Sequence, residues 1–146
     1  MNSQAQVILL VEDNDDHAEL VKRHLNAHRI PNRIYHVRDG EEALDYLYQR
    51  KQYQDIQKSP RPDLILLDLR LPKVDGLQVL KNIKESSELR VIPTVVLTSS
   101  ESNSDIGSAY KNYVNSYLVK PFDFKKFSKM MNNLGTYWLG WNANSY

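Results

Sequence analysis

Asp68 closes the apolar run Leu64-Ile65-Leu66-Leu67. A carboxylate directly after such a fully apolar strand sits at the carboxyl edge of a sheet. That edge is where open α/β sheets place their chemistry. Glu12-Asp13 follows the run Val7 to Val11 in the same way, Thr98-Ser99-Ser100 follows Thr94 to Leu97, and Lys120-Pro121 follows Ser116 to Val119. In a doubly wound sheet the first and third strands are neighbours, which brings Glu12, Asp13 and Asp68 together. Three carboxylates in one cleft repel each other unless a cation or protons neutralise them. Oxygen donors of this kind suit Mg2+, a hard cation that keeps several waters and often bridges to phosphate. A nucleophilic carboxylate, a metal, the Thr98 hydroxyl and the Lys120 ammonium are the parts needed to receive and hold a phosphoryl group.

The elements that must position these groups are legible as alternating segments. Val7 to Val11, Asn32 to Val37, Leu64 to Leu67, Thr94 to Leu97 and Ser116 to Val119 read as strands. Asp15 to His28, Gly40 to Arg50, Gly76 to Glu85, Asn103 to Asn112 and a last segment from about Asp123 read as helices. The helical segments carry apolar residues at three- and four-residue spacing, such as Ala18, Val21 and Leu25. Strands alternating with helices predict βαβ units and a parallel, doubly wound α/β sheet. Asp39-Gly40 marks a turn, Asp75 is a candidate N-cap, and Pro31 and Pro93 precede strands without interrupting them. Residues 49–61 are long, polar and basic, fitting either an extended helix end with a loop or a mobile excursion.

Composition narrows the remaining possibilities. A chain of 146 residues is about one domain, with no internal repeat, so residues 1–146 are expected to form one unit. A formal net charge of +1 sets up no strong field toward nucleic acid or a membrane. The absence of cysteine excludes a disulfide framework and thiolate metal sites. Met1-Asn2-Ser3-Gln4-Ala5-Gln6 lacks the basic and apolar regions of a signal peptide, and the apolar runs are too short to span a bilayer. A cytoplasmic location is the expectation.

Glu12-Asp13, Asp68 with Pro72 and Gly76 following, Thr98, and Lys120-Pro121 together resemble the response-regulator receiver domain of two-component signalling, over roughly residues 5 to 134. The resemblance implies a flavodoxin-like (βα)5 fold with strand order 2-1-3-4-5. It implies Asp68 as phosphoacceptor, with Asp13 and the backbone carbonyl of Arg70 binding Mg2+ beside it and Glu12 acting mainly through a bound water. Thr98 and Lys120 would hold phosphoryl oxygens, and Tyr117 matches the aromatic switch position. The Lys120-Pro121 bond is often cis in the family. Arg70 and Ser100 stand where the family tunes water access to the acyl phosphate. Arg70 would shield or pair with the phosphoryl group, or else be a solvated arginine at the rim. The implied donor is a sensor histidine kinase. The long segment before the third strand and the short tail resemble small regulators paired with bacterial phytochromes.

Other chemistries fit less well. A haloacid-dehalogenase-type hydrolase needs a second acid two residues after its nucleophile, where this chain has Arg70. A flavodoxin-like nucleotide site needs a Gly/Ser/Thr-rich loop after the first strand, where Glu12-Asp13 would repel phosphate. Asp13 to Asp16 is not an EF-hand, since Ala18 and His24 occupy the glycine and glutamate positions. Asp15 and Asp16 fit an acidic first turn, and His24 and His28 fit a surface.

No DNA-binding or catalytic unit is expected after Pro121, so the output must be binding. All three phenylalanines, Phe122, Phe124 and Phe127, and both tryptophans, Trp138 and Trp141, lie in this region. Phe124, Phe127, Met131 and Leu134 fit one buried helix face, while residues 135–146 form an aromatic extension. Tyr110, Tyr113 and Tyr117 lie on the expected switch face. Homodimerisation through this carboxyl-terminal face is the favoured use, against a tail folded back on its own core.

Overall fold

The computed structural model describes residues 5–143. The first four residues, read above as lacking a signal, and the last three of the aromatic extension lie outside the described residues. Five strands, β1 (Gln6–Val11), β2 (Asn32–Val37), β3 (Leu64–Leu67), β4 (Thr94–Thr98) and β5 (Ser116–Val119), form one parallel sheet in the order β2-β1-β3-β4-β5. The helices α1 (Asp15–Asn26), α2 (Gly40–Leu47), α3 (Gly76–Glu85), α4 (Asn103–Lys111) and α5 (Phe124–Gly135) connect and cover it. This is the flavodoxin-like, doubly wound architecture expected from the sequence.

Alternation along the central strands builds two cores. Leu9, Val11, Ile65 and Leu67 face one layer with Val79, Leu80 and Ile83 of α3. Ile8, Leu10, Leu64 and Leu66 face the other, with Val21 and Leu25 of α1 and Phe127, Met131 and Leu134 of α5. Both faces of β1 and β3 are therefore apolar, so their ends are the first places where polar side chains can emerge. Side chains of Asn14, Asp39, Asp75, Ser102 and Asp123 accept from backbone N–H groups at the starts of the five helices.

Several helix ends depart from the sequence expectation. α1 stops at Asn26 rather than His28, and His28 N–H turns back to Leu25 O. α2 stops at Leu47 rather than Arg50 because Gln49 adopts φ 58°, with Gln49 N–H bonded to Tyr46 O and Arg50 N–H to Asp45 O. That is a Schellman closure without its usual glycine. α4 ends in the same way on Tyr113 at φ 62°, with Val114 N–H bonded to Ala109 O. Residues 49–61 are tied down, not a free excursion. Tyr46 Oη donates to Pro60 O at 2.7 Å, and Tyr53 Oη donates to Glu42 at 2.5 Å.

The carboxyl-terminal segment is divided. A final π-helix, Thr136–Trp141, buries Leu139 and lays Trp138 against the α1/α5 core, while Tyr137 and Trp141 stay exposed. Part of the tail thus folds back, as the alternative reading held. Phe124 does not join the buried face of α5. It is 62% exposed and lines a groove with Asp16, Glu19 and Arg23 of α1. Among the described residues every peptide bond is trans, Lys120–Pro121 included, so the cis form is not adopted there. Trans is the lower-energy isomer before proline.

Candidate functional site

Glu12 and Asp13 leave the end of β1, Asp68 the end of β3, Thr98 ends β4, and Lys120 follows β5. The register explains their convergence: Val11 pairs with Leu67, Leu67 with Val96, and Thr98 with Val119. One oxygen each from Glu12, Asp13 and Asp68 fall within 4.8 Å of one another. Lys120 Nζ donates to Glu12 Oε1 at 2.6 Å, to Asp68 Oδ2 at 3.1 Å and to His17 Nδ1 at 2.9 Å. An ammonium has three protons, and all three are used here. The site is a cavity of about 220 Å³ lined by these groups with Asn14, Arg70, Thr98 and Ser99.

Environment separates the carboxylates. Burial pushes Glu12 up to about 7, with Lys120 opposing and the Asp68 charge adding to the rise. Burial acts on Asp68 in the same sense, yet the Lys120 charge and hydrogen bonds from Thr98, Lys120 and Glu12 carry it below the usual carboxylate range. The same cleft thus favours the ionised form at Asp68 and the protonated form at Glu12. Burial, then the Lys120 charge, lowers His17, which keeps Nδ1 free to accept from Lys120.

The donor set fits a hard divalent cation. Three carboxylates face one ammonium, leaving net negative charge, and Asp13 is exposed so the cluster opens to solvent. Glu12, Asp13 and Asp68 would hold such an ion. Arg70 reaches the cluster through its backbone: its N–H donates to Asp68 Oδ1 at 3.3 Å.

The switch candidates are linked to the same edge. Ser100 N–H donates to Thr98 Oγ1 at 3.4 Å, and Tyr117 Oη donates to Ser100 O at 2.9 Å. Tyr117 is half-buried against the α3/α4 core. Two participants were invisible to sequence reasoning. His17 lies one turn into α1, and only its spacing of four from Asp13 hinted at the cleft. Asp105 reads locally as a first-turn acid of α4, yet it takes Arg70 Nη2 at 2.5 Å and Ser100 Oγ at 2.6 Å. The Arg70–Asp105 pair spans β3 to α4, and nothing local in the sequence announces it.

Residues 8–132 match the model of the response regulator receiver domain, and the chain belongs to that family. It is a signalling receiver of two-component systems, a family whose members bind divalent metal. It is 49% identical, over 94% of its length and 86% of the relative's, to the "Probable methanogenesis regulatory protein FilR2" of Methanothrix harundinacea. It is 42% identical to the response regulator Rcp1 of Synechocystis, over 92% of this chain and 89% of Rcp1. The solved Mn2+-bound form of Rcp1 superposes with TM-score 0.92 at 40% identity, covering 97% and 99% of the two chains. The phosphorylated cyanobacterial phytochrome response regulator RcpA superposes with TM-score 0.93 at 37% identity, covering 98% and 100%.

Proposed function

We propose that Asp68 is the phosphoacceptor and that the phosphoryl group comes from a phosphohistidine of a sensor kinase. The observation that carries this reading is Lys120, whose ammonium joins Asp68 to Glu12 in a buried acidic cleft beside Thr98. An Asp68 oxygen attacks phosphorus, the P–N bond breaks, and its electron pair returns to the imidazole of the donor. The product is a mixed anhydride on Asp68. Glu12, Asp13 and Asp68, with the Arg70 carbonyl, would hold Mg2+, which when bound screens the carboxylates and the incoming phosphoryl oxygens. Lys120 moves from bridging carboxylates to pairing a phosphoryl oxygen, and the Thr98 hydroxyl turns to donate to another. Tyr117, bonded to the loop after Thr98, follows that movement.

The kinase is a phytochrome in this reading, supported by the likeness to RcpA across nearly the whole chain. A groove of about 360 Å³ beside the acidic cleft, between α1 and the loop after β5, offers it a landing place lined by the fully exposed Phe122. Residues 1–146 act as one receiver whose output is binding, with homodimerisation through the carboxyl-terminal face and no nucleic-acid contact. Exposed Tyr110, Tyr113, Tyr137 and Trp141 support that interface. Tyr113 is the most exposed of these tyrosines at 78%, on the left-handed residue that closes α4. The place of action is the cytoplasm, where kinases draw phosphoryl groups from ATP. Among the described residues no helix is long and apolar enough to cross a membrane.

Asp68→Asn should abolish hydroxylamine-sensitive labelling, both by acetyl phosphate and by the source organism's phytochrome kinase in its active light state. Equal labelling of the variant would sink the assignment. Labelling of wild type by acetyl phosphate but by no phytochrome kinase would sink the pairing alone.

A further inference from the structure

α4 is the most weakly anchored of the five α-helices. Its buried residues are Ala109 and Asp105, whereas α1, α3 and α5 each bury three larger or more apolar side chains. Gly107 stands exposed in its middle, where glycine weakens a helix. What fixes its first turn is polar. Asp105 Oδ2 accepts from Arg70 Nη2 at 2.5 Å and from Ser100 Oγ at 2.6 Å, and Asp105 N–H donates to the capping Ser102 Oγ at 3.2 Å. The Arg70 side chain is 63% exposed while that of Asp105 is only 12% exposed, so the carboxylate depends on the arginine and the serine for its charge balance.

Arg70 also lines the acidic cleft, and its backbone N–H bonds Asp68. It stands between two anions, one permanent and one that arises on phosphorylation. We propose that Arg70 is a positioning residue that exchanges partners: Asp105 holds it in the unmodified chain, and the phosphoryl oxygens on Asp68 take it after transfer. The phosphoryl group carries more charge than a carboxylate and offers oxygens that match the guanidinium fork. Asp105, left with Ser100 alone in a buried position, then pulls the first turn of α4 toward solvent. Arg70 in its second position covers the phosphoryl group and slows hydrolysis. In hydrolysis water attacks phosphorus, the P–O bond to Asp68 breaks with its electron pair returning to the carboxylate, and of the two water protons one stays on inorganic phosphate and the other passes to solvent.

The inference rests on Asp68 as phosphoacceptor. The test uses the full chain phosphorylated by acetyl phosphate with Mg2+, comparing wild type, R70Q, D105N and R70Q/D105N, with D68N as control. After donor removal, R70Q should lose label at least threefold faster than wild type and D105N at least threefold slower. The double variant should match R70Q, because Asp105 affects the phosphoryl lifetime by holding Arg70 away from it. Equal effects of D105N in both backgrounds, or an unchanged lifetime in R70Q, would overturn the exchange while leaving Asp68 in place. Undiminished label on D68N would overturn the phosphoacceptor itself. Should D105N fail to fold, amide exchange at Asp105 and Ile106 decides. It should quicken on phosphorylation of wild type and be quick already in unmodified R70Q; no change on phosphorylation refutes the release of α4.

Discussion

Lys120 holds together two acids that prefer opposite protonation states, and that contrast gives the residue scale its clearest prediction. Folding raises Glu12 from about 4.5 to about 7, so the folded chain binds this proton more tightly than the unfolded chain does. The resulting stabilisation is complete below the unfolded value and disappears as pH rises through about 7. Asp68, lowered, contributes in the opposite sense, losing its part as pH falls through the acid range. His17 and His36 are lowered by burial, so their contributions fade below the ordinary histidine range. As pH rises through about 7 Glu12 loses its proton, and the chelator-treated chain should lose about 1 kcal/mol by pH ~8.5, while Lys84, lowered by burial, acts in the opposite sense toward the ordinary lysine range. Thermal melts across that range check this, and Glu12→Gln should flatten the slope. A wild-type slope that survives in the variant would place the titrating group elsewhere. Glu12, Asp13, Asp68, Thr98 and Lys120 were legible from the sequence because each follows a readable strand. His17 and Asp105 were not, because both sit on helices and their partners are set by tertiary contact.

At the scale of elements, the strands and helix starts were legible because apolar runs and capping side chains mark them locally. Helix ends were less so: Gln49 and Tyr113 take the left-handed position that a glycine usually announces. The connection from β3 to α3 carries a second prediction. A Cβ on Gly76 would lie 2.3 Å from the Asp68 carbonyl oxygen and 2.5 Å from Leu69 Cα. Both atoms are backbone, so Gly76→Ala must shift the strand end that presents Asp68. It should cost roughly 2 kcal/mol of stability, in line with overpacking at a tight contact. It should also slow labelling by acetyl phosphate at least tenfold, because the nucleophile itself is displaced. Gly107→Ala is the matched control, since nothing lies within 4 Å of its added Cβ. That change should stabilise by about 0.5–1 kcal/mol through helix propensity alone. Denaturant melts and labelling rates on both variants test the pair, and normal labelling in Gly76→Ala would refute the link to Asp68.

For the whole molecule, the parallel, doubly wound class was legible in the alternation of strands and helices, while the order β2-β1-β3-β4-β5 came from the receiver resemblance. The fate of the tail was not legible, since Trp138 and Leu139 look as interface-like in sequence as Tyr137 and Trp141. The structure separates them: Leu139 is 6% exposed and closes the α1/α5 core, whereas Trp141 is 80% exposed. Cutting the chain after Leu134 would therefore uncover that core, confusing loss of an interface with loss of stability. Substituting the exposed pair avoids this. Tyr137→Ser with Trp141→Ser removes two outward rings and leaves Trp138 and Leu139 in place, so the melting midpoint should shift little, as for most surface changes. If the carboxyl-terminal face joins two copies, those rings are its anchors, since aromatic side chains carry much of the binding energy at such surfaces. Sedimentation of wild type and the double variant, each with and without beryllofluoride and Mg2+, should show the dimer weakened at least tenfold in the variant. A wild type that stays monomeric in both states would remove the dimer. A variant that dimerises as wild type does would move the interface to Tyr113 and its neighbour Tyr110 on α4.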